Sequence, residues 1–214
     1  MAADAEGTER TVYWRAYPGV AGIDPQQVLE GPTPQQCYDE GQTMVAEISA
    51  ALSAQFQLEW APMAETGGSS PFQGPVENHY GGESLLTNVN SAESQSTTVP
   101  QTWEEKQQAI GIIGEIVRLY GYELPTINGL EGWSAEDRIR DLGGLTPDKQ
   151  VIVTGVARGR AGQWLSFRFQ DLSKDTRGIF EERLRPPEGS LWQMNTLALS
   201  YGADGLLAAE DRGL

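Results

Sequence analysis

The sequence predicts an α+β fold in which two amphipathic helices cover one face of an antiparallel sheet. Two helix-start signals, each followed by apolar residues at three-to-four spacing, predict helices over residues 34–55 and 102–120. Strand-like segments follow one another between and after these helices, which favours antiparallel pairing over a parallel βαβ arrangement. We expect one domain over residues 11–202, a flexible tail over residues 1–10 and a frayed end over residues 203–214.

The first helix is predicted by its start and by its apolar stripe. Thr33 suits the N-cap, Pro34 the first helical position and Gln36 the third position of a capping box. The stripe consists of Cys37, Gly41, Met44, Val45, Ile48, Leu52 and Phe56. Since Cys37 lies on this stripe, we expect its thiol to be buried, reduced and unreactive, because burial and neighbouring carboxylates raise a thiol pKa.

The second helix opens with a capping box from Thr102 to Glu105 and ends at Gly121. Its apolar face contains Trp103, Ala109, Ile110, Ile113, Ile116, Val117 and Tyr120. Gly111 and Gly114 lie inside it, where a glycine costs about 1 kcal/mol relative to alanine. We interpret both glycines as points of close packing.

The strongest strand signal is a hairpin, in which residues 150–158 and 163–170 flank a short glycine-containing turn. Further strands are predicted over residues 11–17, 56–60, 82–89 and 179–184, and residues 191–201 suit a strand or a helix. Residues 134–142 predict a short capped helix, and residues 61–82 a long irregular loop or a pair of weak edge strands. The aromatic residues Tyr13, Trp14 and Tyr17 are interpreted as strand core rather than as a ligand platform.

Charge is distributed unevenly along the chain. The formal net charge is −15, and residues 16–105 carry twelve Asp or Glu without a single Lys or Arg. This excess argues against a nucleic-acid partner, which would need clustered basic residues. The acidic half is either a solvated surface that aids solubility or a face that attracts a basic protein. For the second case, the candidate partner-binding residues are Glu77, His79, Tyr80 and Glu83.

The sequence contains few residues or motifs that indicate catalysis, metal binding or cofactor binding. His79 is the only His and Cys37 the only Cys, so multi-cysteine metal sites and an internal disulfide are excluded. No nucleophile elbow, phosphate-binding loop or dinucleotide-binding turn occurs. We therefore expect no catalytic residue, cofactor or metal, although paired carboxylates among the 30 acidic residues keep a glycosidase-like arrangement open.

Residues 1–10 contain neither a basic segment nor an apolar segment of the kind found in signal peptides. No apolar run reaches the ~18 residues of a membrane-spanning helix. Two interpretations remain, a cytosolic protein or the mature part of an exported one.

Two stretches resemble small exported actinobacterial lipoproteins of the LppA-like kind. One runs from Trp103-Glu104-Glu105 through the predicted helix into Leu119-Tyr120-Gly121-Tyr122, and the other is the hairpin from Val153 to Phe167. The resemblance covers the layout of residues 34–185 and implies a non-enzymatic, exported protein. The chain departs from that pattern by lacking a second cysteine in its C-terminal half, so Cys37 has no partner.

These observations predict a non-enzymatic, exported or surface-associated binding protein. Its link to a membrane, if any, would be a lipid anchor that this chain does not carry. Two alternatives stay open: a cytosolic acidic immunity or regulatory protein that binds a basic effector, and a hydrolase that uses His79 or paired carboxylates.

Overall fold

The computed structural model describes residues 2–3, 9–10, 13–61, 70–128, 131–186, 188 and 192–213. Within these residues the helices are α1 (Pro25–Glu30), α2 (Pro34–Phe56), α3 (Trp103–Leu119), α4 (Ala135–Leu142) and α5 (Ile179–Arg183). The strands are β1 (Ala2–Ala3), β2 (Glu9–Arg10), β3 (Phe72–Gln73), β4 (Leu86–Asn90), β5 (Ser94–Gln95), β6 (Thr126–Ile127), β7 (Ile152–Arg158), β8 (Gln163–Gln170) and β9 (Thr196–Leu207). The predicted α+β class is confirmed.

Strands β3 to β9 form one antiparallel sheet in the order β3-β4-β9-β8-β7-β6, with β5 also beside β9. Strand β9 is the longest and pairs with β8 from Thr196 to Ala203. Its other edge pairs first with β5 and then with β4, where Leu207 lies opposite Leu86. Two distant parts of the chain, residues 86–95 and 163–170, are therefore brought together on β9.

Helices α2 and α3 cover one face of this sheet. The main core contains residues of α2, α3, β7, β8 and β9, namely Met44, Val45, Ile48, Leu52, Ala109, Ile113, Val117, Val153, Ala157, Leu165, Phe167, Phe169, Leu197, Leu199 and Tyr201. Along β8 the buried side chains alternate with half-buried ones, as expected for a strand with one covered face. The antiparallel pairing of β7 with β8 confirms the predicted hairpin.

Both predicted capping boxes are present. The Thr33 hydroxyl accepts a hydrogen bond from the Gln36 amide, and the Gln36 side chain accepts one from the Thr33 amide. Thr102 and Glu105 form the same reciprocal pair at the start of α3. Because a capping box depends only on residues three apart, both helix starts were predictable from sequence.

Gly41 lets α2 approach β9 closely. A methyl group at this position would overlap the ring of Tyr201, whose hydroxyl donates a hydrogen bond to the Tyr38 carbonyl at 2.9 Å. Gly111, in contrast, has no atom within 4 Å of the place where its Cβ would lie, so its interpretation as a packing point is wrong. Gly114 does face a neighbour, since a Cβ there would lie 3.2 Å from Leu124 and Pro125.

A buried ion pair links α3 to the end of β8. The Lys106 ammonium lies 2.5 Å from the Asp171 carboxylate, and the two side chains are only 2% and 1% exposed. Asp171 also accepts hydrogen bonds from the amide and hydroxyl of Ser173. Burial alone would raise the pKa of Asp171, but the hydrogen bonds and the charge of Lys106 outweigh it, so this pKa lies below its ordinary range.

Several local expectations are wrong. The frayed end expected from residue 203 is instead the end of β9 followed by a 3-10 turn at Ala209–Gly213, because Ala203, Leu206 and Leu207 are buried in the sheet. Residues 179–184 form helix α5 and its C-cap rather than a strand. Phe56 ends α2, and of the strand expected over residues 56–60 there remains one bridge at Trp60.

At the N-terminus, Trp14–Ala16 is a 3-10 turn rather than a strand. Ala2–Ala3 and Glu9–Arg10 form a two-stranded ladder, while the rest of the expected tail, residues 1 and 4–8, lies outside the described residues. None of the helices in the described part of the chain combines the length and hydropathy needed to cross a bilayer.

We expect Gly41→Ala to lower the free energy of unfolding by about 1–3 kcal/mol or more, because the added methyl group forces α2 away from Tyr201. Gly111→Ala is the matched control on an open helix position and should raise it by about 0.5–1 kcal/mol. Urea unfolding measures both. Equal effects of the two substitutions would contradict the close approach at Gly41.

We expect Lys106→Met to lower the free energy of unfolding by about 3–5 kcal/mol at neutral pH, because Asp171 would then be a buried charge without a counter-charge. Adding Asp171→Asn should recover part of the loss.

The folded pKa of Asp171 is below the unfolded value of about 3.9, so the pair stabilises the fold fully above that value and loses its effect as pH falls through the folded pKa. Urea unfolding at several pH values should therefore show a difference between wild type and Lys106→Met that shrinks in acid; a pH-independent difference would refute this account.

Candidate functional site

The candidate residues Glu77, His79, Tyr80 and Glu83 lie on one loop between β3 and β4. Glu77 and Glu83 face each other in an isolated antiparallel bridge that closes this loop. The Asn78 amide donates to the Gly82 carbonyl at 2.9 Å, and the Ser84 amide to the Val76 carbonyl at 2.8 Å. The structure thus brings the four candidate residues together on a hydrogen-bonded turn.

Asn78 fixes this loop against the segment Trp14–Tyr17. Its side chain is fully buried, and its amide group donates to the carbonyls of Trp14, Arg15 and Tyr17 at 3.4, 3.1 and 3.0 Å. Its carbonyl oxygen accepts from the amides of Tyr80 and Gly82 at 2.8 and 3.1 Å. A single buried side chain therefore ties together two segments that lie more than 60 residues apart.

Gly82 allows the two segments to touch. A Cβ at this position would overlap the carbonyl of Arg15, so a larger residue would push the loop away. The Leu85 amide adds a hydrogen bond to the Pro18 carbonyl at 2.7 Å. The loop is consequently held against residues 14–18 at Gly82 and Leu85 as well as at Asn78.

Three aromatic rings meet on the outside of this junction. The ring centroids of Trp14 and Tyr80 are 5.1 Å apart, those of Tyr17 and Tyr80 5.9 Å, and those of Trp14 and Tyr17 6.3 Å. Trp14 and Tyr80 remain 53% and 43% exposed. The interpretation of Tyr13, Trp14 and Tyr17 as strand core is wrong, since Tyr13 is also exposed and the cluster lies at the surface.

The two carboxylates of the loop line an open depression. Glu77, Glu83 and Arg15 border a volume of about 630 Å³, together with Pro75, Gly81 and Gly82. Like charges on facing residues of an antiparallel pair repel each other. Arg15 offsets one of the two charges, so the depression keeps a net negative charge. We call Trp14, Tyr17, Glu77, Tyr80 and Glu83 the aromatic–acidic surface.

An apolar cavity of about 330 Å³ adjoins the aromatic–acidic surface through Tyr17, which lines both. The cavity also touches the buried residues Val20, Leu86 and Leu207, which form a small core cluster of their own. Leu29 and Leu85 line it as well and remain 53% and 39% exposed. Its charged residues are Asp211 and Arg212, and the Arg212 guanidinium donates to the carbonyls of Leu29 and Gly31.

The His and the Cys of the chain do not line this cavity. His79 is an exposed loop residue with a φ of 63°, in the left-handed region. Cys37 is 3% exposed in the core between α2 and β9, which confirms its predicted burial. Burial raises the pKa of its thiol to about 11, and the charge of Glu40 adds to this rise, so the thiolate is a minor species at neutral pH.

The part of the chain that the structure describes also lacks a cluster of metal-binding side chains. Within it, no three His, Cys, Asp or Glu side chains converge in an arrangement that would hold a metal ion. The expectation that the protein has no enzymatic activity stays a prediction.

Sequence reasoning missed Asn78 and the cavity. The available signal at Asn78 was an Asn followed closely by Gly81-Gly82, a composition typical of side-chain-capped turns. That signal predicts a local turn but not the three carbonyls of a segment far away in the chain. The cavity joins residues 17–29 to the ends of β4 and β9, and no local pattern predicts that meeting.

No protein-family model matches the sequence, and no curated protein matches it either. The fold is similar to the crystal structure of the putative lipoprotein LppA from Mycobacterium tuberculosis, with a TM-score of 0.51 and 9% sequence identity. The match covers 87% of this chain and 85% of that one. The predicted resemblance to LppA-like proteins is therefore confirmed as a likeness of fold.

We expect Asn78→Ala to cost about 1–3 kcal/mol of stability, because the amides of Tyr80 and Gly82 and three carbonyls lose a buried partner. Hydrogen exchange at Tyr80 and Gly82 should become faster. Asn90→Ala is a suitable control, since its side chain bonds only the Gln73 side chain among the described contacts. Unchanged exchange in Asn78→Ala would show that other contacts hold the loop.

Proposed function

We propose that this is a non-enzymatic binding protein, exported or held at the cell surface, that recognises a basic protein through the aromatic–acidic surface. The observation that carries the proposal is the exposure of Trp14 and Tyr80 on a junction fixed by buried Asn78. Exposed aromatic residues on a pre-ordered surface are the usual anchors of protein interfaces.

The aromatic rings suit a cationic partner. A Lys or Arg side chain placed over the face of Trp or Tyr is attracted by the ring, with a gain of about 0.5–1 kcal/mol at exposed sites. Glu77 and Glu83 lie on the same loop as Tyr80 and attract the same charge. A basic segment therefore finds both kinds of attraction within one loop.

The charge of the surrounding chain acts in the same direction. Residues 16–105 carry twelve acidic side chains and no Lys or Arg. One of them, Glu93, forms an ion pair with Arg168 of the second half at 2.9 Å. Uncompensated carboxylates produce a negative field that speeds the approach of a basic protein, and salt screens that field over about 8 Å at physiological ionic strength.

The proposed cellular location rests on the likeness of fold. The likeness to a protein described as a lipoprotein supports an exported or surface-associated protein. The alternative is a cytosolic immunity or regulatory protein that would use the same surface for a basic effector. The genomic sequence upstream of Met1 distinguishes the two, because a lipobox-type signal there would favour export.

The charge of the loop gives a direct test with a lysine-rich synthetic peptide as the probe. We expect Glu77→Lys combined with Glu83→Lys to reduce the association rate strongly at low salt, because the approach is electrostatically steered. The matched control is Glu181→Lys combined with Glu182→Lys, which changes the net charge equally on the exposed surface of α5. Association kinetics at several salt concentrations measure the difference.

Equal losses in the two double variants would mean that the peptide senses only net charge, and the proposed surface would be wrong. Association that does not slow as salt rises would also contradict steering.

A further inference from the structure

We infer that the basic partner presents a segment that also carries a large apolar side chain, and that this side chain enters the cavity next to Tyr17. The inference rests on the proposed function, because it names the kind of segment that the aromatic–acidic surface would take.

The first argument is continuity. The Tyr17 ring packs against Tyr80 and also lines the cavity, so the cavity lies next to the aromatic–acidic surface. The Tyr17 and Tyr80 centroids are 5.9 Å apart. An extended chain covers that distance in about two residues. One short segment therefore reaches both with a basic residue and an apolar residue placed close together.

The second argument is size and lining. About 330 Å³ is at the lower end of ligand pockets, which span roughly 300–1,000 Å³. It accommodates one large side chain such as Phe, Trp or Leu. Leu29, Leu85 and the buried Val20 and Leu207 present apolar surface to it. Covering this surface removes apolar area from water and stabilises the complex.

The third argument is charge. Asp211 and Arg212 carry opposite charges, so the cavity itself selects neither an acidic nor a basic group. The preference for a basic segment comes from Glu77 and Glu83, because Arg15 offsets their negative charge only in part. The arrangement resembles a protein interface, in which an anchor side chain fills a pocket at the centre and polar groups form the rim.

The test uses two lysine-rich peptides that differ at one position, a central Phe or Ala. The Phe peptide should bind the wild-type protein at least about tenfold more tightly, because only it can bury an aromatic ring in the cavity. Equilibrium binding is measured by fluorescence anisotropy of the labelled peptide.

Two protein variants locate the ring. Leu29→Asn combined with Leu85→Asn should remove the advantage of the Phe peptide, since both leucines line the cavity. Leu119→Asn combined with Leu124→Asn is the matched control, because these leucines are 81% and 61% exposed and do not line the cavity. Circular dichroism checks that both variants keep the native fold, and Leu85→Asn alone replaces the first variant if it does not.

Equal binding of the two peptides, or an equal loss in both leucine variants, overturns the inference. If binding then still depends on Glu77 and Glu83 more than on Glu181 and Glu182, the proposed function stands without the apolar anchor. Uptake of a neutral apolar dye that the Phe peptide does not displace would assign the cavity to a small molecule and also overturn the inference.

Discussion

The fold depends on strand β9 being paired along both edges and covered by α2 at the same time. Its partners β4 and β5 on one edge and β8 on the other come from two distant parts of the chain, so the strand joins residues 86–95 to residues 163–170 within one sheet. The helix can cover it only because Gly41 leaves room for the ring of Tyr201. Since the hydroxyl of Tyr201 bonds back to Tyr38, packing and hydrogen bonding fix the same helix turn.

The candidate site is a consequence of this arrangement. Pairing of Leu86 with Leu207 places β4 beside the end of β9, and the residues that lead into β4 are then held against Trp14–Tyr17 by Asn78. Loops carried on a rigid sheet commonly bear binding residues, because their side chains need not fill the core. Here the loop is exposed on its outer side and is held on its inner side by the buried side chain of Asn78, an arrangement that would lower the entropic cost of ordering it in a complex.

What the sequence predicted correctly depended on near neighbours in the chain. The capping boxes at Thr33 and Thr102 and the hairpin of β7 and β8 are set within a few residues, and each was found. The strand predicted over residues 179–184 was wrong, because a run of that length suits a helix turn as well as a strand. Lys106 was missed entirely, since the carboxylate that allows its burial lies 65 residues away.

The same limit applies to the site. The sequence analysis grouped Glu77, His79, Tyr80 and Glu83 because they are close neighbours in the chain. It assigned Trp14 and Tyr17 to the core, because the exposure of a side chain is decided by what the rest of the chain covers.

The comparison with Lys106 and Asp171 shows how charge at the surface differs from charge in the core. The Lys106–Asp171 pair is buried and links α3 to the end of β8, whereas Glu77 and Glu83 are exposed and form no ion pair within the part of the chain that the structure describes. The charge of an exposed carboxylate stays accessible from solvent, while that of a buried pair is compensated inside the fold.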